Sequence, residues 1–457
     1  MSHSLRRSLG VFGALLLTLS AVTPASSVFV FVPEVLTQAG SGAIIAMLAG
    51  ALASVPTAFA YAELASAFPI AGGEYSMVGG TMGRDAAMVI LWLNLLTSLL
   101  TPAALALGTA SFLAVIWPGL NATAVALAMI FITTVMGVLH IRTNAWVTGI
   151  FLLLELLALL AITVLGFWHV HQPLAGLTLH PMALSDGHMI HTPVAMLGLA
   201  TTVAIFAYNG YGSAAYFAEE MHQSRRAVAR TILWALVISI ITELLPVIAA
   251  LMGTPDLKAF LGSENPFSQF ILISGGRLVA GAVSICIALA IFNAVLATVL
   301  QNARVFYCTG RDGTWGARIN RGFIATHMRY HSPWIATLFA GFASMALCFL
   351  GLDLILVLSG TGIVLVYGAV CLASIAGRRN GASQAAAYRM PLYPFWPVVG
   401  LLSLGYVLYV SALDPELGQP SLIVNGVLVL LALGYHRLWL RRKGPWMLTG
   451  PEDGAVS

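Results

Sequence analysis

Two stretches of this chain place polar or helix-breaking residues in the middle of long apolar runs. The first is Thr23–Ser27, within the apolar run 9–37, and the second is Asn209–Ser213, within the run 193–218. In hydrocarbon, each unpaired backbone N–H or C=O group costs several kcal/mol, so such a break persists only in a protein interior or beside a polar cavity. One break in each half of the chain indicates the binding site of a secondary transporter.

The backbone at the first break suits an anion. A helix that restarts there presents free N–H groups at its positive end, close to Ala25, Ser26 and Ser27. Such groups bind carboxylates. We therefore expect the carboxylate of a solute to be contacted by Thr23, Ala25, Ser26 and Ser27.

The second break suits a cation. Gly210 and Gly212 permit backbone that is not helical, and the carbonyl groups released just before them would accept hydrogen bonds from an ammonium group. Aromatic rings lie close by in the sequence. The expected contacts are Phe206, Tyr208, Asn209, Gly210 and Tyr211. The alternative for these glycines and rings is packing between helices.

Four further polar side chains fall inside apolar segments. Glu155 and Glu243 have no lysine or arginine at a comparable depth, and a charge at mid-bilayer is costly unless it is neutralised, paired or hydrated. Both are therefore candidates to carry a coupling proton, and the alternative is a neutral carboxyl group bonded between helices. Asn94 and Asn293 are expected either to contact the solute or to link two helices.

Composition places these residues in a membrane protein. Of 457 residues, 59% are hydrophobic and 8% are charged, against about a quarter charged in a soluble domain. Mean hydropathy is +0.91. A soluble protein of this size would lack the charges to cover its surface, so the expected surroundings are a lipid bilayer. The net charge of +4 gives no reason to expect nucleic acid as a partner.

Windows of about 20 apolar residues predict an all-α polytopic protein with twelve transmembrane helices. The connections are mostly short, so no separate soluble domain is expected. The predicted spans are approximately 9–37, 43–66, 86–116, 122–140, 146–168, 193–219, 231–253, 276–303, 333–351, 354–376, 396–413 and 421–440.

Basic residues predict the orientation of these spans. An even number of spans puts both termini on one side, and with Arg6 and Arg7 inside, only Lys258 and Arg277 of the 21 lysines and arginines fall outside. Both termini are therefore predicted to be cytoplasmic. The alternative is a signal peptide cleaved near Ala25, which would leave an odd number of spans.

Cysteine, histidine and catalytic patterns predict no metal, cofactor or enzyme activity. The four cysteines lie in spans or at their inner ends, without the spacing of metal ligands. Five of the eleven histidines lie in the outer loop 169–191, where a pH sensor or metal site is the alternative to clustering by chance. Neither His-Glu-x-x-His nor Gly-x-Ser-x-Gly occurs.

Three motifs near the inner ends of spans carry a family resemblance. They are Tyr61–Tyr75 (YAELASAFPIAGGEY), Ala218–Arg226 (AEEMHQSRR), and Asn302–Arg304 together with Arg311–Gly313 (NAR and RDG). In this order and spacing they resemble the amino acid–polyamine–organocation (APC) superfamily of permeases, along the whole chain.

The resemblance implies a five-plus-five inverted repeat with discontinuous helices 1 and 6, followed by two additional C-terminal helices. The transport core would be 1–376, with repeats at about 9–168 and 193–376. The C-terminal pair of helices and the cytoplasmic tail would be 377–457. Both breaks fall on the helices that the superfamily interrupts.

Several residues depart from what the resemblance implies. The superfamily usually has Gly-Ser-Gly where this chain has Ala25-Ser26-Ser27, and many relatives have Glu at Gly212. Phe206 matches the position of an aromatic gate. The lysine that some proton-coupled relatives carry in helix 5 is missing, and the helix 8 stretch 290–301 offers a sodium ion only Thr298.

The breaks and the resemblance together predict a secondary active transporter of amino acids in the cell inner membrane. Proton-coupled symport and substrate exchange both stay open, with the proton as the candidate coupling ion. The alternatives are a permease for polyamines or other organic amines and a transporter-like sensor. The expected partners are a small-molecule substrate and the lipid bilayer, and the oligomeric state is open.

Overall fold

A computed structural model describes residues 8–113, 119–139, 141–185, 187–263, 265–350, 352–413, 415, 418–443, 446 and 448. Arg6 and Arg7, which enter the prediction of orientation, lie outside the described residues. So does most of the predicted tail after Lys443.

Helices make up nearly all of the first half. A π-helical turn, Ser27–Phe31, joins α2 to α3, and a 3-10 turn, Gly40–Gly42, joins α3 to α4. The helices are α1 (Val11–Val22), α2 (Pro24–Ser26), α3 (Val32–Ala39), α4 (Ala43–Ala67), α5 (Glu74–Met82), α6 (Arg84–Leu113), α7 (Ala122–Gly137), α8 (Ile141–Trp168) and α9 (Leu174–Leu179).

The second half is also helical. Its broken helix α10 is followed by a 3-10 segment, Tyr211–Glu220, and the long α13 is kinked at Gly276. The helices are α10 (Val194–Ala207), α11 (Ser224–Gly253), α12 (Leu257–Leu261), α13 (Pro266–Arg311), α14 (Ala317–Phe323), α15 (Trp334–Leu347), α16 (Leu352–Arg379), α17 (Phe395–Leu413) and α18 (Gly418–Gly434). A 3-10 turn, Cys348–Leu350, extends α15, and π and 3-10 turns, Tyr435–Leu440 and Arg441–Lys443, extend α18.

Eight helical segments among the described residues are long and apolar enough to cross a membrane, and two shorter apolar helices, Ala122–Gly137 and Trp334–Leu350, accompany them. The first of the eight, Val11–Ala67, has 57 residues and includes the break at Thr23, whereas about 20 residues suffice for one crossing. The predicted all-α polytopic class is confirmed. The count of twelve crossings stays a prediction.

Large apolar side chains cover the outside of the helices. Exposed examples on five different helices are Leu52, Trp146, Leu278, Leu402 and Leu430. An apolar surface of this extent would aggregate in water and is stable against lipid tails. The exterior therefore has the polarity that the composition predicts.

The segment predicted as the outer loop 169–191 is more ordered than expected. It contains α9 and an antiparallel hairpin of β1 (Met182–Ser185) and β2 (His188–His191), with Ala183 opposite Ile190. Asp186-Gly187 in the sequence is a known signal for a tight hairpin, which hydropathy windows do not detect. Met182 N–H donates to Ser41 Oγ at 2.9 Å, so the hairpin packs on the turn between α3 and α4.

Candidate functional site

The first break is a kink of one residue. Thr23 alone adopts a left-handed conformation, with φ 50°, and α2 begins at the next residue, Pro24. Proline suits the first position of a helix because its φ is already helical and its missing N–H would have no partner there. The Ser27 N–H donates to Thr23 O at 3.0 Å, so the backbone is helical again within one turn. The unwound stretch is thus shorter than the predicted Thr23–Ser27.

A carboxylate of the protein itself occupies this kink. Ala25 N–H donates to Glu155 Oε1 at 2.7 Å, and Thr23 Oγ1 donates to the same oxygen at 3.2 Å. Thr23 Oγ1 also lies 2.7 Å from Ser26 Oγ. The N–H group that was predicted to hold the carboxylate of a solute therefore holds the side chain of Glu155.

Glu155 and Glu243 are two buried acidic residues. Both residues are 0% exposed, and Glu243 lies within electrostatic range of Glu155. Glu155 Oε2, both carboxyl oxygens of Glu243 and the Tyr208 hydroxyl are buried and accept or donate no hydrogen bond within the described part of the chain. Tyr208 is also buried, and its charged neighbour is Glu243.

The second break is wider and touches the first. Helix α10 ends at Ala207, and Gly210 has φ 109° before the 3-10 segment begins. A Cβ atom on Gly210 would lie 2.9 Å from the Cα atom of Val22. Ser27 Oγ donates to Ala207 O at 2.8 Å. The two broken helices are therefore in direct contact at their breaks.

A polar cavity of about 100 Å³ lies beside the second break. A single water needs about 10–15 Å³ by the same measure, so this cavity has room for several waters or a small polar molecule. Helices α6, α13 and α16 close its other sides. Its lining residues are Ala21, Glu74, Asn94, Thr97, Ser98, Thr101, Asn209, Gly210, Gly212, Ser213, Tyr216, Thr298, Gln301, Asn302, Ile363, Val366 and Tyr367.

Glu74 is the acidic residue of this cavity, and three side chains donate hydrogen bonds to its carboxyl group. Tyr61 donates to Oε1 at 3.0 Å, Asn94 Nδ2 donates to Oε2 at 2.8 Å, and Tyr216 donates to Oε2 as well. Glu74 lies at the start of α5, outside the predicted spans. Burial raises the pKa of its carboxyl group, and the hydrogen bonds from Tyr216, Tyr61 and Asn94 offset part of that shift.

Three tyrosine rings, one of them from α4, pack together beside the cavity, which Tyr367 lines. Tyr61, Tyr211 and Tyr367 contact one another with ring centroids 5.3 to 6.0 Å apart, and the Tyr367 hydroxyl donates to Asn209 Oδ1. A Cβ atom on Gly212 would lie 2.7 Å from the ring of Tyr61. A glutamate at this position would displace that ring, and Glu74 already provides an acid to the same cavity.

The structure distributes the predicted substrate contacts over several environments. Asn94, Asn209 and Gly210 line the cavity. Asn293 instead links helices, because its Nδ2 donates to Ser20 Oγ at 2.9 Å and to Thr148 O at 3.2 Å. Phe206 is half-buried at the end of α10.

Sequence reasoning missed Glu74, Tyr216 and Tyr367 as site residues. Tyr367 lies in an apolar span and has no pattern that marks it. Glu74 had a usable signal, since it is an acid inside the Tyr61–Tyr75 motif with no basic residue nearby in the sequence. Only the folded structure places Asn94 and Tyr216 against its carboxyl group.

The three motifs meet in space near the predicted cytoplasmic ends of the helices. The Glu63 carboxylate accepts two hydrogen bonds from Arg378, at 2.7 and 2.6 Å. Arg311 donates twice to Glu219, at 2.8 Å each. Bidentate pairs of this kind are strong and fix geometry.

The third pair is fully buried. Arg304, 1% exposed, donates to the two carboxyl oxygens of Glu220 at 3.1 and 3.2 Å. Ala71 N–H, from the first motif, donates to Glu219 Oε1 at 3.0 Å, and the Tyr75 hydroxyl donates to Asp312 at 2.9 Å. Loss of one partner of a buried pair leaves an uncompensated charge, so these motif residues hold the helix ends together.

An apolar exterior, two broken helices in contact and a small polar cavity beside them define a membrane transport protein. The chain belongs to the amino acid permease family, because the model of that family matches residues 9–433. The predicted resemblance to APC permeases is thereby confirmed. The protein is a transporter and not an enzyme.

Several relatives match nearly the whole chain. The branched-chain amino acid permease BcaP of Bacillus subtilis is 24% identical, over 96% of this chain and 94% of its own length. The methylthioribose transporter of the same species is 24% identical, over 89% and 88%. The serine/threonine exchanger SteT of Bacillus subtilis is 23% identical, over 89% and 91%.

Proposed function

We propose that this permease moves a neutral amino acid across the cytoplasmic membrane by alternating access, by symport with a proton or by exchange. The observation that carries the proposal is the contact between the two breaks at Val22 and Gly210, beside a polar cavity. A site at the crossing of two interrupted helices becomes accessible from either side when the helix halves move relative to each other.

The proposed topology has twelve crossings and both termini in the cytoplasm. In its support, a helix occupies each of the twelve predicted spans. The broken helices stand first in each half of the core 1–376, as an inverted repeat requires. The region 377–457 would add α17, α18 and the tail to that core. The basic residues of the sequence support this orientation.

An amino acid finds complementary groups at both breaks. The N–H groups near Ala25 and Ser26 suit its carboxylate, and Asn209 with the carbonyl groups at the end of α10 suits its ammonium group. Ile363 and Val366 provide an apolar wall in the cavity. The relatives named for branched-chain amino acids and for serine and threonine support the substrate class.

An organic amine is the second candidate substrate. Glu74 supports it, because a buried carboxyl group at the cavity would pair with a cationic group. In this chain Glu74 provides the acidic side chain at the cavity, because position 212 is a glycine. An amine without a carboxylate would leave the donors of the first break to Glu155.

Transport by the purified protein in liposomes tests the proposal. We expect uptake of radiolabelled L-leucine or L-serine under an inward proton gradient, or in exchange for the same unlabelled amino acid inside. Uptake of putrescine alone would support the organic amine. Tight binding of L-leucine without flux under any gradient would support the sensor and contradict the proposal.

A further inference from the structure

The first break offers the same donors to two different carboxylates. Ala25 N–H lies 2.7 Å from Glu155 Oε1, and the Thr23 hydroxyl supports the same oxygen at 3.2 Å. Under the proposed function, the carboxylate of the substrate also binds at this helix start. One N–H group accommodates one carboxylate oxygen at hydrogen-bond distance, so the two carboxylates compete.

Few charged groups surround Glu155. The helices packed against α8 include α1, α2, α7, α11 and α13. The first three carry no ionisable side chain, and α13 carries none between Cys286 and Arg304. On α11, Glu243 is the ionisable residue after Arg230. Tyr208, at the end of α10, neighbours Glu243 in turn.

Glu155 therefore has one stabilised position for a negative charge. In it, the carboxylate accepts two hydrogen bonds, from the Ala25 N–H and the Thr23 hydroxyl. Away from it, the carboxylate would lie near Glu243, where α1, α2, α7 and the stretch of α13 between Cys286 and Arg304 offer no lysine or arginine to pair with it, and an unpaired buried charge is strongly disfavoured. Glu243 lies within electrostatic range of Glu155, and its buried carboxyl oxygens have no hydrogen-bond partner within the described residues, so they are available to a protonated Glu155.

We propose that the carboxylate of the substrate displaces Glu155 from Ala25 and that the displaced Glu155 then binds one proton. This inference rests on the proposed function and specifies its coupling. The proton comes from the compartment that loads the substrate. It leaves on the other side, when the substrate departs and the ionised Glu155 returns to the Ala25 N–H. One zwitterionic amino acid and one proton move together, and each cycle transfers one positive charge.

Proton uptake by the wild-type protein is the direct test and needs no variant. L-Leucine, or L-serine as a second probe, is added to the detergent-purified protein in weak buffer containing a pH-sensitive dye. We expect about one proton to be taken up for each amino acid bound. We also expect the affinity for L-leucine to rise about tenfold for each unit by which the pH falls, over the range in which Glu155 is ionised in the free protein.

Glu155→Gln tests the residue. The amide oxygen of the new side chain accepts the Ala25 N–H but binds no proton at neutral pH, so proton uptake and the pH dependence of L-leucine affinity should both disappear. Glu34→Gln is the matched control, because Glu34 is exposed on α3 and its hydrogen bond among the described residues comes from Gln38 in the same helix. It should keep both properties of the wild type.

The outcomes separate the inference from the proposed function. L-Leucine binding by the wild type without proton uptake would overturn the inference and leave transport intact. Proton uptake that persists in a folded Glu155→Gln variant would overturn it as well. If the wild type bound neither L-leucine nor L-serine, the proposed substrate class would fail, and the inference would fail with it.

Discussion

The two helix breaks look alike in the sequence and differ in the folded protein. At the first, one residue leaves the helical conformation and a side chain of the protein fills the space beside it. At the second, the backbone is open around Gly210 and lines a polar cavity of about 100 Å³. A break in an apolar run thus reveals that polar backbone is present, and the surrounding helices decide whether protein or solute satisfies it.

The residue types explain the different widths. Pro24 has a φ that is already helical, so the chain resumes α2 directly after Thr23. At the second break, Gly210 adopts φ 109°, a conformation that glycine reaches without the penalty paid by other residues. The first break is thereby narrow and closed by the side chain of Glu155, and the second is open to the polar cavity.

The largest expected effect is that of Gly210→Ala, which would push the two breaks apart. The new Cβ atom would lie 2.9 Å from Val22 Cα and in a left-handed conformation. We expect L-leucine uptake to fall to background. Gly276→Ala is the matched control, because Gly276 has φ 77° with no atom within 4 Å of the added Cβ. It should suffer only the backbone strain, about 1–3 kcal/mol. Equal losses of uptake in both variants would show that contact between the breaks is unimportant.

Glu74→Gln tests whether the cavity at the second break takes part in substrate binding. The variant turns one carboxyl oxygen into an amide group that faces the donors Asn94 and Tyr216. A mismatched buried hydrogen bond costs about 1–3 kcal/mol, so we expect L-leucine KM to rise about ten- to a hundredfold. Transport assays with Glu34→Gln as the exposed control check this. An unchanged KM would exclude the Glu74 network from the substrate site.

Thr23→Ala weakens the first break alone. It removes the hydroxyl that supports Glu155 at 3.2 Å and leaves the Ala25 N–H in place. We expect the affinity for L-leucine to rise about three- to tenfold, because the competing carboxylate of Glu155 is then held by one hydrogen bond fewer. One hydrogen bond contributes about 0.5–1.5 kcal/mol. Thr23→Ser keeps the hydroxyl and should behave as the wild type in the same binding titration. If serine and alanine had the same effect, the hydroxyl would have no part in holding Glu155.

Asn293→Ala should have the smallest effect on transport kinetics. Its side chain links α13 to α1 and α8 through Ser20 and Thr148, away from the cavity. We expect a lower thermal unfolding temperature with KM unchanged, measured by a thermal-shift assay and by uptake. A large rise in KM without loss of stability would return Asn293 to the substrate contacts.

Much of the fold was predictable because hydropathy is a local property. The apolar runs located the helices, and the interruptions at Thr23 and Asn209 located both breaks. Glu155 and Glu243 stood out as acids in apolar segments without a basic partner. The hairpin of β1 and β2 was missed, although Asp186-Gly187 marks it, because windows of 20 residues average over short strands.

The organisation of the candidate site was only partly predictable. Asn94, which the sequence left as either a solute contact or a link between helices, lines the cavity at the second break, whereas its partner Glu74 was read only as part of a family motif. Asn293, predicted on equal terms with Asn94, became a link between helices. Nothing in the sequence separates these two asparagines, because the direction of each depends on how its helix is rotated in the bundle.

The sequence by itself determined that this is a membrane protein, that two of its helices are interrupted, and that it belongs to the amino acid permease family. Composition, the spacing of apolar residues and the three motifs suffice for that. Only the tertiary structure decided that Glu155 accepts the Ala25 N–H at the first break and that Glu74 accepts the Tyr61 hydroxyl at the cavity of the second break. Hydrogen bonds join atoms within about 3 Å, and these partners lie 130 residues apart in one case and 13 in the other. Which of them meet depends on the packing of whole helices.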